Sequence, residues 1–510
     1  MVSKHRAGTA AIVAVVLAGS MLVQRNTWNQ TSHYALVQSL RDGTPIIDRW
    51  HTTTGDVSYV GGHYYSSKAP GLAFAALVPL EIVRGIVRVT GASGRPDSMI
   101  WALGVFCAAL PALVLLLLVR AVGDALAPGF GVLAAMTLGL GTLVLPFSTL
   151  FFAHALSTTL GFAAFFLLWR ERQGPPRLAL VAAAGVVAGL ATVVEYPLVV
   201  LGVVLGLYAV SRGDVVRRGL AYGAAAVAGA LPSFLYNAWA FGSPLTFPYA
   251  HAVLVPGKSG HDVIGANDQG VYGVASPHLG RAVDLLFSQF GLLRLTPVVA
   301  MGAVGAVLLY RGGRRAEALV VAGVAALFLL YNSGYYLPFG GWTPGPRFLI
   351  PVLPFLAFPL ALSYRRFAAV TTALAVPSAA IMIAATATEP LVPTVLGPTE
   401  WEWRLRNGVF ATRSWLSLAA GRPGGWLAPL PFLVLIAVAL GLLLLALPRL
   451  AIARRDVPLA LAAFAAWVVI FFAGPKLNHG LSQDVAALAL AAALAAAVVA
   501  LHQRTARSFG

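Results

Sequence analysis

Charge is scarce in this sequence. Of its 510 residues only 10% are Asp, Glu, Lys or Arg, against 59% hydrophobic, and the mean hydropathy is +0.81. So thin a polar surface excludes an ordinary soluble domain, and a multispanning membrane protein is expected. Cysteine is almost absent: Cys107, inside an apolar run, excludes a disulfide framework and a cysteine metal site. Lysine is rare too, since 31 of the 35 basic residues are Arg. The formal charge of +17 is therefore not read as a nucleic-acid surface, because the arginines are scattered in short loops between apolar runs. A Walker motif, a Gly-rich phosphate loop and a nucleophile elbow are all missing, which removes the usual nucleotide-driven and serine-hydrolase readings.

What is present is a series of long apolar segments. Spans are expected near 7–24, 98–119, 128–146, 149–169, 178–194, 197–211, 217–240, 296–310, 317–333, 348–363, 367–386, 427–447, 457–473 and 484–502. The opening Met1-Val-Ser-Lys4-His-Arg6 and the poor cleavage context Gln24-Arg25-Asn26 favour an uncleaved first span over a signal peptide. With a cytoplasmic N-terminus, alternation of sides places 19 Lys and Arg with five acids inside, and 16 basic residues with 13 acids on the much longer outer side. Both termini are then cytoplasmic, and the polar face is extracytoplasmic.

This topology closes only if the apolar run 70–90 does not cross. The spacing of Glu81, Arg84 and Arg88 fits a helix lying in the outer interface, the other possibility being a true span. The chain is thus expected to be all-α: a single integral membrane domain over 1–510, a bundle of about 13–14 transmembrane helices with an interfacial helix in its first outer loop. The outer segments are 25–97, 241–295 and 387–426, with shorter ones at 332–347 and 474–483.

Ionisable groups at the edge of such a bundle are expensive unless they face water, a partner or a substrate. Asp42, Asp48 and Asp56 crowd the first outer loop, where a carboxylate can act as general base toward a hydroxyl. Asp56 stands among His51, His63, Tyr64, Tyr65 and Lys68, and Lys68 precedes Ala-Pro70-Gly71 where a cation can meet a lipid phosphate or simply snorkel. His154 falls near the outer start of a span, as a cavity donor or a packing residue. Glu195, in the hairpin Glu195-Tyr196-Pro197, requires a water-filled site or a cationic partner, for which a structural arginine is one option. Arg347, after Gly345-Pro346 in a Gly- and Pro-rich stretch, is suited to bidentate capture of phosphate. Trp342 can belong to an aromatic belt or stack on a sugar, and Asn237 ends a span on the same face. His251, Lys258, His261, Asp262 and Asp268 match no metal-ligand template, and the need for a divalent metal stays open.

An outer-face acid beside phosphate-binding cations points to group transfer at the membrane surface. Nucleotide sugars are not expected there, so the donor must be activated beforehand and carried in the lipid, which indicates glycosyl transfer from a lipid phosphate. In order of elements over residues 1–366 the sequence resembles the GT-C superfamily of polyprenyl-phosphate-sugar glycosyltransferases. The resemblance is especially to the family 39-like branch that includes protein mannosyltransferases and aminoarabinose transferases. The resemblance rests on one span, an acidic first loop, Tyr64-Tyr65-Ser-Ser-Lys68-Ala-Pro70-Gly71 as an aromatic-Lys-Pro pattern before an interfacial helix, His154 at an outer turn, and the Gly-Pro-Arg347 turn. It implies a catalytic Asp in the first loop, a polyprenyl-phosphate-sugar donor, membrane lipid as partner and a glycan, lipid or protein acceptor. The adjacent acids of better-known members are missing, since Asp48 precedes Arg49 and Asp56 precedes Val57, so both remain candidates for the base. Two other classes stand beside this reading: a transporter or lipid flippase, and a non-catalytic protein of envelope assembly.

Overall fold

The computed structural model describes residues 2–92, 94–252, 257–261, 273–393, 396–450, 452, 454 and 456–473. Thirteen of the fourteen expected spans coincide with helices, and the one at 484–502, with the C-terminus, lies outside the described residues. The protein is an all-α polytopic membrane protein. By length and hydropathy, and among the described residues, five helices can cross a membrane, or up to seven if each of two bent pairs counts as one span. Four more apolar helices have 10–17 residues, fewer than the ~20 a perpendicular crossing takes.

After α1 (Val2–Ser20), residues 25–97 hold more than the helix expected over 70–90: α2 (Trp28–Arg41), a hairpin of β1 (Val57–Val60) and β2 (His63–Ser66), then α3 (Gly71–Thr90). The hairpin turns at Gly61-Gly62, both at positive φ (59° and 92°), the backbone that a two-residue turn between twisted strands demands and only glycine adopts without cost. Helix α3 carries Glu81, Arg84 and Arg88 in its second half and is not among the helices apolar enough to cross.

The bundle continues through α4 (Pro96–Leu126), α5 (Gly131–Gly141), α6 (Ala153–Arg172), α7 (Leu178–Val194), α8 (Leu198–Val210) and α9 (Val215–Phe241). The single span expected over 128–146 is broken, because the chain leaves helical geometry at Thr142 and restarts at Val144. The span expected over 348–363 bends by 53° between Arg347–Ala357 and Leu360–Arg366, where Pro359 removes a backbone donor. Helix α6 is central: Phe162 and Phe165 pack on Phe355 and Phe358 with ring centroids 5.3–6.2 Å apart. Outward faces stay apolar, as at Leu207 and Leu220, which are exposed on α8 and α9 and suit contact with lipid.

The ends of α6 are chemically different. At its C-terminal end buried Glu171 is held by Arg212 at 2.6 Å and Arg218 at 2.9 Å. His154, 17 residues earlier and so ~25 Å away along the axis, sits at the end where α2, the hairpin and the start of α3 gather.

Candidate active site

The hairpin brings Asp56 and Lys68 together. Strand pairing sets Val57 opposite Ser66, so the residues flanking the ladder are neighbours, and the Ser67 amide donates to the Asp56 carbonyl at 3.3 Å. From α2, the Ser32 hydroxyl donates to that same carbonyl at 2.6 Å and lies 2.8 Å from the Ser66 hydroxyl. Thus fixed, the Lys68 Nζ lies 2.9 Å from Asp56 Oδ2, with both side chains nearly buried.

On its other oxygen Asp56 meets His261, whose Nε2 lies 3.4 Å from Oδ1. The ring's Nδ1 is 3.3 Å from the Tyr336 hydroxyl, Tyr336 is 3.1 Å from the Tyr249 hydroxyl, and Tyr249 bonds Tyr335. Burial on its own pushes the Asp56 carboxyl up, but the Lys68 ammonium and then His261 outweigh it and hold it below the ordinary carboxylate value. Burial lowers the Lys68 ammonium from the usual lysine range, Asp56 partly restores it, and Arg347 lowers it again.

Beside the pair lies a cavity of about 580 Å³, bounded by Lys68, His154, Glu195, Tyr249, Tyr335 and Arg347 on its polar side and by Val199, Val200, Ala230 and Phe234 from α8 and α9 on its apolar side. Val199 is 54% exposed, so the apolar side runs to the outer surface of the bundle. Glu195, just past the end of α7, meets His154, with 2.5 Å between Nδ1 and Oε1, and accepts a hydrogen bond from the Ser157 hydroxyl. Phe147, Phe152 and Phe348 pack their rings around His154.

Arg347 opens the bent Arg347–Ala357 segment. Its guanidinium lies 5.5 Å from the Phe152 ring centroid and 5.3 Å from that of Phe348, and its Nε has no hydrogen-bond partner among the described residues. Gly340, at φ +81°, makes room for it, since a Cβ there would come within 2.3 Å of Arg347 Nε. Gly340→Ala is therefore expected to push the guanidinium aside and weaken binding of an anionic ligand such as a lipid phosphate by about tenfold, or ~1.4 kcal/mol. Gly341→Ala is the control. It suffers the same left-handed backbone strain (φ +85°), but its added Cβ would meet nothing closer than 3.9 Å. A lipid-phosphate titration on both variants tests this, and equal weakening in the two would remove the positioning role.

Of the residues singled out from sequence, Lys68, His154, Glu195 and Arg347 line one cavity, and Asp56 stands directly behind Lys68. The others do not join them. Asp48 is half exposed, 2.8 Å from His63 Nδ1 and accepting from the Tyr64 amide at 2.6 Å, so it and His63 form a separate surface pair. Tyr65 packs on Phe241 at 5.1 Å, Asn237 donates to the Pro244 carbonyl at the end of α9, and Trp342 is exposed with Arg25 5.9 Å from its ring. Sequence reasoning passed over Asn29 and His33 of α2 and gave no site role to Tyr249 or His261. The signal for α2 was Asn29-Gln-Thr-Ser-His33, a polar run too close to the first span to be a solvated loop. His261 and Tyr249 carried none, because they come from a segment that meets Asp56 only by folding back across about 200 residues.

Among the described residues no group of three or more His, Cys, Asp or Glu could hold a metal ion. No family model matches the sequence, and no curated protein matches it. Among solved structures the chain is similar to ArnT from Cupriavidus metallidurans bound to undecaprenyl phosphate, at 14% identity, with 91% of this chain and 75% of that one covered and a TM-score of 0.45. The apo state of the same protein covers 91% and 74% at 14% identity, with a TM-score of 0.47. The apo oligosaccharyltransferase of Archaeoglobus fulgidus is similar at 13% identity over 95% of this chain and 59% of that chain, with a TM-score of 0.42. None of these scores reaches 0.5, so the functional reading rests on the residues around the cavity.

Proposed function

We propose that this chain is a membrane glycosyltransferase of the GT-C kind that its sequence resembles. It moves a sugar from a polyprenyl-phosphate donor to an acceptor hydroxyl on the extracytoplasmic face. The observation that carries this is the buried Asp56–Lys68 pair, placed beside Arg347 on a cavity whose other side is apolar and runs to the surface of the bundle. A phosphate head with a hydrocarbon tail has that same division of character. Two cations beside an apolar lane favour it over a nucleotide or a free sugar.

In this mechanism the acceptor oxygen attacks the anomeric carbon as the bond from that carbon to the lipid-phosphate oxygen breaks. The bonding pair leaves on the phosphate. The acceptor's proton enters the chain of Tyr335, Tyr249, Tyr336 and His261, each group handing on its own, and ends on Asp56. Asp56 becomes neutral, Lys68 loses its counter-charge, and the ammonium turns to the phosphate that has just gained charge beside Arg347. His154, held by Glu195, orients the donor.

Mass spectrometry of envelope glycans, glycolipids and glycoproteins from cells with and without the chain tests the reading. One glycosyl increment should vanish without it and return with the wild-type chain but not with Asp56→Asn. Reconstituted vesicles that move a labelled lipid across the bilayer with no sugar transferred would replace this reading by the transporter.

A further inference from the structure

The wall of the cavity built by α2 and the exit of the hairpin differs from the cationic side. Three neutral polar atoms there lack any hydrogen-bond partner among the described residues: Asn29 Oδ1, His33 Nδ1 and Ser67 Oγ. All three residues line the cavity, and His33 and Ser67 are only 2% and 1% exposed. Leaving one buried polar group unsatisfied costs ~1–3 kcal/mol, and native proteins keep few of them. Three on one wall is the pattern of a subsite whose ligand supplies the missing partners.

Their arrangement is built. Asn29 and His33 stand four residues apart and so share one face of α2. The Ser32–Ser66 bond joins the residues next to His33 and Ser67, which ties that helix to the hairpin exit. Burial first, and then Lys68, lower His33 to about 3, against a smaller upward pull from Asp56. Its ring is therefore neutral at physiological pH and offers one accepting and one donating nitrogen. The wall presents an amide, an imidazole and a hydroxyl, with no free charge. Ser67 adjoins Lys68 in the chain, so this neutral wall abuts the cation that faces the phosphate, as a sugar abuts the phosphate it is carried on.

We propose that Asn29, His33 and Ser67 form the subsite for the ring hydroxyls of the donor sugar, and that this sugar is neutral rather than an amino sugar or a uronic acid. The proposal rests on the glycosyltransferase reading above. A hydroxyl both donates and accepts, as this wall does. An ammonium would bring a third positive charge beside Lys68 and Arg347, and a carboxylate would be drawn to those cations and compete with the phosphate for them.

Binding to the full chain in lipid nanodiscs decides it, followed by tryptophan fluorescence. Three probes are used: undecaprenyl phosphate, the same lipid carrying mannose, and the same lipid carrying 4-amino-4-deoxyarabinose. Mannose is expected to tighten binding about tenfold over the bare lipid phosphate. Asn29→Leu and His33→Phe should each erase most of that gain while changing affinity for the bare lipid less than twofold. Ser67→Ala, the mildest change, should erase part of it and guards against a folding defect in the other two. The subsite is overturned if mannose adds nothing, if the variants lose bare-lipid binding in the same proportion, or if the amino sugar binds more tightly than mannose. Failure of all three lipids to bind the wild-type chain would instead overturn the underlying glycosyltransferase reading.

Discussion

Asp56→Asn is expected to lower sugar transfer by roughly 10²–10⁴-fold, the usual worth of a positioned general base, while Asp48→Asn changes it less than twofold. The two carboxylates are eight residues apart in one loop, yet Asp56 is buried against Lys68 and His261 whereas Asp48 is half exposed and paired with His63. The Asp56 variant also leaves the Lys68 ammonium buried without its counter-charge, which costs ~3–5 kcal/mol of stability while Lys68 stays protonated. Adding Lys68→Met to Asp56→Asn should recover much of that stability and none of the activity, a split that thermal unfolding and a transfer assay read separately.

The pH profile carries the same signature. Asp56 is held below the ordinary carboxylate value in the folded chain, so it is ionised and competent at neutral pH. The pair's contribution to stability is present above the unfolded carboxyl's pKa and is lost only as pH falls through the lower folded one. The acid limb of activity should therefore lie below pH ~3.9. On the alkaline side the lowered Lys68 should cost activity before the usual lysine range is reached. An acid limb near pH 6 would assign the base to another group.

The second large effect is expected at the cations. Lys68→Met and Arg347→Met should each raise the donor KM by roughly 10–10²-fold, since a hydrogen bond to a charged partner is worth ~1.5–3 kcal/mol. Arg347→Lys should rescue little. The guanidinium lies between the Phe152 and Phe348 rings, and a compact ammonium keeps neither the planar stacking nor the two-pronged grip on phosphate. Donor titrations at fixed acceptor check this. A drop in kcat with KM unchanged in both variants would place these cations in the chemical step alone. His154→Ala should be milder than either, because its Nδ1 is already engaged by Glu195.

Much of the architecture is legible in the sequence. Burying ~20 consecutive apolar residues leaves few alternatives to a helix in lipid, and thirteen expected spans fall on helices. What the hydropathy pattern missed were interruptions and short polar elements. The break after Gly141 and the bend at Pro359 lie in segments as apolar as their neighbours, and α2 is not apolar at all. The Gly61-Gly62 turn was a readable hairpin signal, since two flanking runs rich in Val and Tyr meet there, and it went unused.

For the site, sequence alone determined the kind of groups to expect. Ionisable residues are costly in an apolar chain, so Asp48, Asp56, Lys68, His154, Glu195 and Arg347 stood out by their presence. Which of them meet was decided by the tertiary structure. A hairpin register pairs Asp56 with Lys68, the start of α6 and the end of α7 pair His154 with Glu195, and the glycine at 340 leaves room for Arg347. Spacing along the chain does not encode the His154–Glu195 contact, because the relative placement of those two helices is set by packing, whereas the Asp56–Lys68 contact follows from a local hairpin turn. Scarcity of charge marked the residues that had to be used, and the fold gathered four of them on one cavity with Asp56 behind Lys68.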